Sequence, residues 1–198
     1  MTRKFYEEEL RQIAKSAKPL LESSSQILKS ASVQFSKGKK YDIFLSHSFR
    51  DAEVIHGLKI YIESTFGLSV YVDWVDDPEL DRSQVTKTTA DRLRERMKNC
   101  STLLVAHSEA TPDSKWVPWE VGYFDSNNGR IAILPITQKP QESEVFNGQE
   151  YLGLYSYAVR GLTAKTNKDM IWIQDNPEKF TTITAWIKGV NPSFRRGA

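Results

Sequence analysis

The strongest chemical signal in the sequence is a glutamate set among aromatic and aliphatic residues. In SKWVPWEVGY, residues 114–123, Glu120 follows Trp116 by four positions at the predicted start of a helix, so both side chains share one helical face. A carboxylate in such an apolar setting can stabilise positive charge that develops on a substrate, and an aromatic face attracts a flat cation. The alternative is structural, because the helix dipole favours an acid in the first turn and both tryptophans would then be core residues.

The elements that would position this glutamate follow an α/β pattern. Short apolar runs bounded by polar residues predict five strands, at residues 41–46, 68–74, 101–108, 131–136 and 151–159. Four helices are predicted after the first strand. The first runs from a cap at Asp51 to a stop at Gly67, and the second has Ala90, Leu93 and Met97 on one face. The third begins near Trp116, and the fourth begins at Asp175 with Pro177 in its first turn. Strands that alternate with helices predict a flavodoxin-like, doubly wound parallel sheet of five strands.

In such a sheet, ligands bind beyond the carboxyl ends of the strands. Three polar segments lie there, SHSFRD at residues 46–51, DWVDDPELDRS at 73–83 and HSEATPDSKWVPWE at 107–120. Chemistry is therefore expected in these loops. The acids Asp76, Asp77 and Glu79 could suggest a metal, but their spacing defines no ligand geometry, and no metal site is predicted.

Residues 3–33 are predicted to be helical, with a kink or a break at Pro19, and SKGKK at 36–40 is typical of a linker. The predicted organisation is an N-terminal helical extension at residues 1–36, a main domain at 39–190 and a C-terminal tail at 191–198. The extension either packs against the main domain or provides an oligomerisation or partner surface.

Composition excludes several classes of protein. The 198 residues carry 27 Lys and Arg against 25 Asp and Glu, a balance that does not predict a nucleic-acid partner. The sequence has neither a signal-peptide core nor an apolar stretch of about 20 residues, which predicts a cytoplasmic protein without a membrane partner. The single cysteine, Cys100, excludes an intrachain disulfide and is predicted to be a small buried hydrophobe.

Three segments resemble a known family in their order and spacing. YDIFLSHSFRDAE (41–53), VYVDW (70–74) and LLVAHSEATPDSKWVPWE (103–120) resemble the first three strands and the following helix of a TIR (Toll/interleukin-1 receptor) domain. The resemblance is strongest to the bacterial kind, Thoeris-type anti-phage components included, and covers roughly residues 39–190. One departure is the loop at residues 76–86, which has no glycine where many bacterial TIR domains carry one.

The resemblance implies an activity. Some TIR domains cleave NAD+ at the nicotinamide–ribose bond with a glutamate in the position of Glu120, whereas animal receptor and adaptor TIR domains lack it and act as scaffolds. For this sequence the resemblance implies NAD+ as substrate with no further cofactor, and ADP-ribose or a cyclic or conjugated form of it as product. It also implies a homo-oligomer formed through TIR–TIR contacts, and a separate effector protein that the nucleotide product activates.

The resemblance further suggests roles for the residues at the strand ends. Glu120 is the expected catalytic residue, and the expected substrate-binding residues are Ser46, His47, Ser48, Arg50, Asp73, Trp74, Ser108 and Trp116. Ser46, His47 and Ser48 could meet a phosphate or ribose, and Arg50 the pyrophosphate. Structural alternatives stay open: a helix cap for Ser48, a loop cap for Asp73, a local hydrogen bond for Ser108 and simple solvation for Arg50.

Two other functions remain in view. A TIR scaffold that only binds other TIR domains is disfavoured by Glu120, and it would give no NAD+ cleavage. A bacterial effector that interferes with host TIR signalling could also cleave NAD+, so activity alone would not separate it from a defence protein.

Overall fold

The computed structural model describes residues 2–28, 39–48, 51–77, 86–108, 114–140, 146 and 150–194. In chain order the strands are β1 Thr2–Arg3, β2 Phe5–Tyr6, β3 Tyr41–Ser46, β4 Val70–Tyr71, β5 Cys100–His107, β6 Ile131–Thr137, β7 Ser156–Leu162, β8 Asp169–Asn176, β9 Lys179–Thr182 and β10 Ser193–Phe194. The α-helices are α1 Glu7–Leu28, α2 Ala52–Phe66, α3 Asp73–Asp76, α4 Lys87–Lys98, α5 Trp116–Asn127 and α6 Ile183–Ile187.

Parallel strands form the centre of the sheet in the order β4-β3-β5-β6-β7. Numbered along the chain as strands of the parallel core, this is the order 2-1-3-4-5 of flavodoxin-like folds. The predicted doubly wound arrangement is therefore confirmed. The carboxyl ends of β3, β4 and β5 lie side by side, which brings the three polar segments to one edge of the sheet.

Alternation along each strand divides the core into two layers. In β3, Ile43 and Leu45 pack with α2 and α6, whereas Phe44 faces the opposite layer, which contains residues of α4 and α5. Helix α2 ends where the sequence predicts, because Gly67 adopts the left-handed conformation (φ 65°) and its N–H bonds to Glu63 O. Cys100 is buried, as predicted.

The predicted C-terminal helix is present as α6, with Ile183 and Trp186 buried, but its predicted start at Asp175 is wrong. Asp175 and Asn176 end β8, and Pro177 lies in the turn to β9. The side-chain oxygen of Asn176 accepts hydrogen bonds from the backbone N–H groups of Glu178 and Lys179, at 2.9 and 3.0 Å, so an Asx turn forms in place of a helical turn. Beyond β7 the sheet continues with antiparallel strands: β8 pairs with β7, β9 with β8 and β10 with β9.

Two predicted strands are shorter in the structure. The second is confined to Val70–Tyr71, since Asp73–Asp76 form the short helix α3. The fifth begins at Ser156, after a 3-10 turn at Glu150–Leu154.

The N-terminal segment is part of the sheet and core. Residues 2–6 are not helical: β1 pairs with β7 and β2 pairs with β6, and α1 runs through Pro19 without a break. Phe5 and Leu10 are 1% exposed, and Arg11 bonds to Glu53 of α2 at 3.0 Å. This supports the packing interpretation of the segment. Residues 29–38 lie outside the described residues, so the predicted boundary between 36 and 39 stays a prediction, as does a partner surface.

The contact between α1 and α2 depends on a glycine. A Cβ at Gly57 would lie 1.9 Å from the carbonyl oxygen of Leu10. Gly57→Ala is expected to destabilise the protein by about 1–3 kcal/mol, since overpacking outweighs the gain in helix propensity. The melting temperature should fall by about 2–12 °C for a chain of this size.

The matched control is Gly122→Ala in α5, where an added Cβ meets nothing within 4 Å. That exposed substitution should stabilise the protein by up to about 1 kcal/mol through helix propensity alone. Equal effects of the two alanines in thermal unfolding would contradict the tight α1–α2 contact.

None of the described helices combines the length and the apolar character needed to cross a membrane.

Candidate active site

Most of the predicted site residues lie at the carboxyl edge of the parallel strands, and most are buried. Ser46 ends β3, Asp73 begins the helix after β4, and Ser108 follows β5. The buried predicted residues are Ser46, His47, Ser48, Asp73, Ser108, Trp116 and Glu120. Trp74 is half-buried with its ring edge-on to His56, and Arg50 lies outside the described residues.

Glu120 is the most deeply enclosed charged side chain of this edge. It is 0% exposed, and the Ser46 hydroxyl donates a hydrogen bond of 2.6 Å to its Oε2. Burying a carboxylate is costly unless hydrogen bonds compensate for the lost water. Helix α5 begins at Trp116 and its first turn contains no acidic residue, so the interpretation of Glu120 as a first-turn acid that complements the helix dipole is wrong.

Local sequence explains why α5 starts where it does. The Ser114 hydroxyl accepts a hydrogen bond of 3.3 Å from the Val117 N–H, which satisfies one of the unpaired donors of the first turn. Pro118 also lies in that first turn, where a missing N–H costs no intrahelical bond. Trp116 and Glu120 are therefore one turn apart on the buried side of the helix.

An aromatic ladder runs along α5 from Trp116. Trp116 and Trp119 meet edge to face with centroids 5.5 Å apart, and Trp119 stacks on Tyr123 at 5.8 Å. The guanidinium of Arg94 in α4 lies over both outer rings, 5.3 Å from Trp119 and 6.0 Å from Tyr123. Trp116 thus packs against a row of aromatic side chains on its own helix.

His47 and Asp73 form a second buried pair. Nδ1 of His47 lies 2.9 Å from the Leu45 carbonyl oxygen, and Nε2 lies 3.6 Å from Asp73 Oδ1. The two side chains are 2% and 3% exposed. Asp73 thus faces a residue of the neighbouring strand end, which argues against its alternative as a simple loop cap.

A third pair joins Ser108 to Asp51. Asp51 occupies the predicted N-cap position of α2 but makes no side-chain cap bond; its Oδ2 instead accepts a hydrogen bond from the Ser108 hydroxyl. The predicted capping role is therefore wrong, and the Ser108 bond is not local. Sequence reasoning did not place Asp51 in the site, although its position in SHSFRD gave the available signal.

The acidic residues after β4 are engaged by cations and hydroxyl groups. Asp76 contacts Lys59 at 3.3 Å and Tyr41 at 3.2 Å. Asp77 accepts a bidentate pair of bonds from Arg96, at 2.7 and 2.9 Å. Glu79 lies outside the described residues, and within the part of the chain that the structure describes no group of three His, Cys, Asp or Glu side chains could hold a metal.

A surface cleft of about 460 Å³ lies away from this edge. It is lined by Met97, Lys98, Tyr123, Phe124, Asn127 and Asn128, and so includes the C-terminal half of α5 but none of the predicted site residues.

His107, the last residue of β5, packs edge-on against Phe146, and burial lowers its pKa. The ring contact and the lowered pKa both fit a structural role for His107.

Comparison with known proteins identifies the class. Residues 44–141 match the family model described as Thoeris protein ThsB, TIR-like domain. A Bacillus cereus protein named "Probable 3′ cyclic ADP-D-ribose synthase ThsB′" is 47% identical over 167 residues, which cover 84% of this chain and 86% of that protein. The chain belongs to the Thoeris ThsB family of TIR-like domain proteins, and the resemblance to bacterial TIR domains is confirmed.

A more distant relative carries a similar name. A candidate cyclic ADP-D-ribose synthase, TIR2 of Cytobacillus dafuensis, is 31% identical over 86 residues, which are 43% of this chain and 22% of that protein.

Proposed function

We propose that this protein cleaves the nicotinamide–ribose bond of NAD+ and closes the remaining ADP-ribose into a cyclic signal in Thoeris anti-phage defence. The names of both relatives support a synthase of cyclic ADP-ribose. The observation that carries the proposal to this chain is Glu120, fully buried and bonded to Ser46 at the carboxyl edge of the parallel strands.

The proposed chemistry uses Glu120 for charge stabilisation. Nicotinamide leaves as a neutral ring, so its departure requires no acid, and the barrier lies in positive charge that develops on the ribose. A carboxylate beside that ribose stabilises the charge more strongly in a water-poor site. Trp116, one turn earlier in α5, is proposed to form a wall of the pocket that holds the flat cationic ring. NAD+ enters as substrate, and no further cofactor takes part.

The remaining strand-end residues are proposed to hold the substrate. Ser48 and Trp74 are proposed to contact ribose and phosphate groups, together with the Ser46–Glu120, His47–Asp73 and Ser108–Asp51 pairs. Arg50 is proposed to bind the pyrophosphate. The loop at residues 76–86, which has no glycine, lies partly outside the described residues, and no substrate contact is proposed for it.

The direct test is incubation of the purified full chain with NAD+ at high protein concentration, followed by chromatography and mass spectrometry. Release of nicotinamide together with a product lighter than ADP-ribose by one water supports the proposal. Absence of nicotinamide release, both from the purified protein and from phage-infected cells that express it, would contradict the proposal and favour a scaffold.

Ser46 is expected to support the catalytic action of Glu120 through its hydrogen bond to the carboxylate. Ser46→Ala removes a hydrogen bond to a carboxylate, a type of bond that contributes about 1.5–3 kcal/mol. Turnover should fall by about 10–10²-fold with little change in KM, because about 1.4 kcal/mol of barrier corresponds to a factor of ten. Ser46→Thr keeps the hydroxyl and should restore most of the rate; equal losses in both variants would assign Ser46 a packing role only.

Assembly and signalling complete the proposal. We propose that copies of the chain associate through TIR–TIR contacts and that the cyclic product activates a separate effector protein. Size-exclusion chromatography with light scattering over a range of concentrations tests the first point, since a persistent monomer with full activity would contradict it. Activation of a partner by the purified product, without the enzyme, tests the second.

A further inference from the structure

We propose that His47, supported by Asp73, accepts the proton that a substrate hydroxyl loses when it closes the ring. This inference rests on the proposed function in its cyclising form. In that reaction the bond from ribose carbon to nicotinamide nitrogen breaks, and its electron pair leaves with the neutral ring. A hydroxyl oxygen of the same molecule then bonds to the freed ribose carbon, and its proton must pass to an acceptor.

Glu120 is poorly suited to take that proton. Its proposed task is to stabilise positive charge on the ribose, and a proton on the carboxyl group would cancel the negative charge that this task requires. Ser46 already donates a hydrogen bond to Glu120 Oε2 and offers no basic group. Ring closure therefore calls for a second group at the same edge.

The imidazole of His47 has the proton arrangement of a base. Its Nδ1 lies 2.9 Å from the Leu45 carbonyl oxygen, which can only accept, so the ring proton is on Nδ1. In the neutral ring Nε2 then carries the lone pair. His47 directly follows Ser46 in the chain, so its backbone lies at the strand end whose serine bonds to Glu120.

Asp73 places a carboxylate beside Nε2 of His47. Its Oδ1 lies 3.6 Å from Nε2, which is longer than a direct hydrogen bond, so the contact is Coulombic and strengthens when the ring becomes charged. Both side chains are almost completely buried, which reduces screening by water. Asp73 acts through His47 and is a positioning residue, whereas His47 is the proposed proton acceptor.

The decisive variant is His47→Asn. The asparagine amide nitrogen can take the place of Nδ1 and keep the bond to Leu45, while nothing replaces Nε2. General base catalysis contributes about 10²–10⁴-fold, so the ratio of cyclic product to ADP-ribose should fall at least tenfold. Nicotinamide release should fall far less, because bond cleavage needs no base. Asp73→Asn, which removes the charge at constant size, should lower the same ratio by a smaller factor.

Controls separate this role from a structural one. His56→Asn removes another half-buried imidazole, one that touches Trp74, and should leave the product ratio unchanged. Thermal unfolding identifies folded variants, and if His47→Asn does not fold, Asp73→Asn decides. An unchanged ratio in the folded variants, or equal losses of cyclic product and nicotinamide release, would overturn the inference.

The behaviour of the unsubstituted protein distinguishes the two levels of the proposal. Nicotinamide release with ADP-ribose as the sole product would overturn the proton-acceptor role and leave NAD+ cleavage standing. Absence of nicotinamide release, both from the purified protein and from phage-infected cells that express it, would overturn the proposed function itself, and the inference with it.

Discussion

Replacement of Glu120 by glutamine is expected to lower nicotinamide release from NAD+ by about 10²–10³-fold, equivalent to about 2.7–4 kcal/mol in the barrier, by analogy with removal of an oxyanion-hole donor. The amide has the size of the carboxylate and can still accept the Ser46 hydrogen bond, so the variant should fold. What it lacks is the negative charge that stabilises the developing cation. Single-turnover measurement of nicotinamide, with thermal unfolding in parallel, checks both points.

The matched control is Asp125→Asn, which neutralises an exposed carboxylate on the same helix. It should retain nearly full activity, because Asp125 is exposed near the far end of α5. Full turnover by a folded Glu120→Gln protein would falsify the catalytic assignment and return Glu120 to a structural role.

Replacement of Asp77 by asparagine is expected to cost about 3–5 kcal/mol of folding stability, because it leaves the Arg96 charge buried without its counter-charge. The side chains of Arg96 and Asp77 are 5% and 2% exposed, and the Tyr71 hydroxyl donates a hydrogen bond of 2.8 Å to the Asp77 carboxylate. The bonds to Asp77 raise the pKa of Arg96, so this guanidinium remains charged in the folded protein. The melting temperature should fall by about 6–20 °C.

Helix α4 offers an exposed ion pair for comparison. Arg94 and Asp91 lie 2.7 Å apart, but their side chains are 40% and 56% exposed. Asp91→Asn should therefore cost less than about 1 kcal/mol. Similar melting temperatures for the two asparagine variants would show that burial of the Asp77 pair does not carry the expected energy.

The sequence was sufficient for the parallel core because its signals are local. The run YDIFLS is confirmed as β3, and Gly67 ends α2 because it can adopt a positive φ. The start of the C-terminal helix was mispredicted because Asp175 and Pro177 are also typical of a helix start, whereas the helix begins at Ile183. The competing Asx turn at Asn176 depends on β8 and β9 pairing with the existing sheet.

The candidate site, like the fold, was only partly predictable from the sequence. Glu120, Trp116 and the three polar strand ends could be named from the sequence, since the order of strands and helices places them at one edge of a parallel sheet. Their partners could not be named. Ser46 and Glu120 are 74 residues apart, and Ser108 and Asp51 are 57 apart, so neither pairing leaves a local pattern.

The sequence by itself thus determined the class of fold and the edge where chemistry is expected, because periodicity and turn residues act over a few positions, and its resemblance to TIR domains singled out Glu120. Only the tertiary structure decided that Asp51 accepts a hydrogen bond from the Ser108 hydroxyl and that His47 lies beside Asp73. The same holds for the pairing of β1 with β7 and of β2 with β6. These contacts form between segments distant in the chain, where packing and the hydrogen-bonding needs of buried polar groups select the partner.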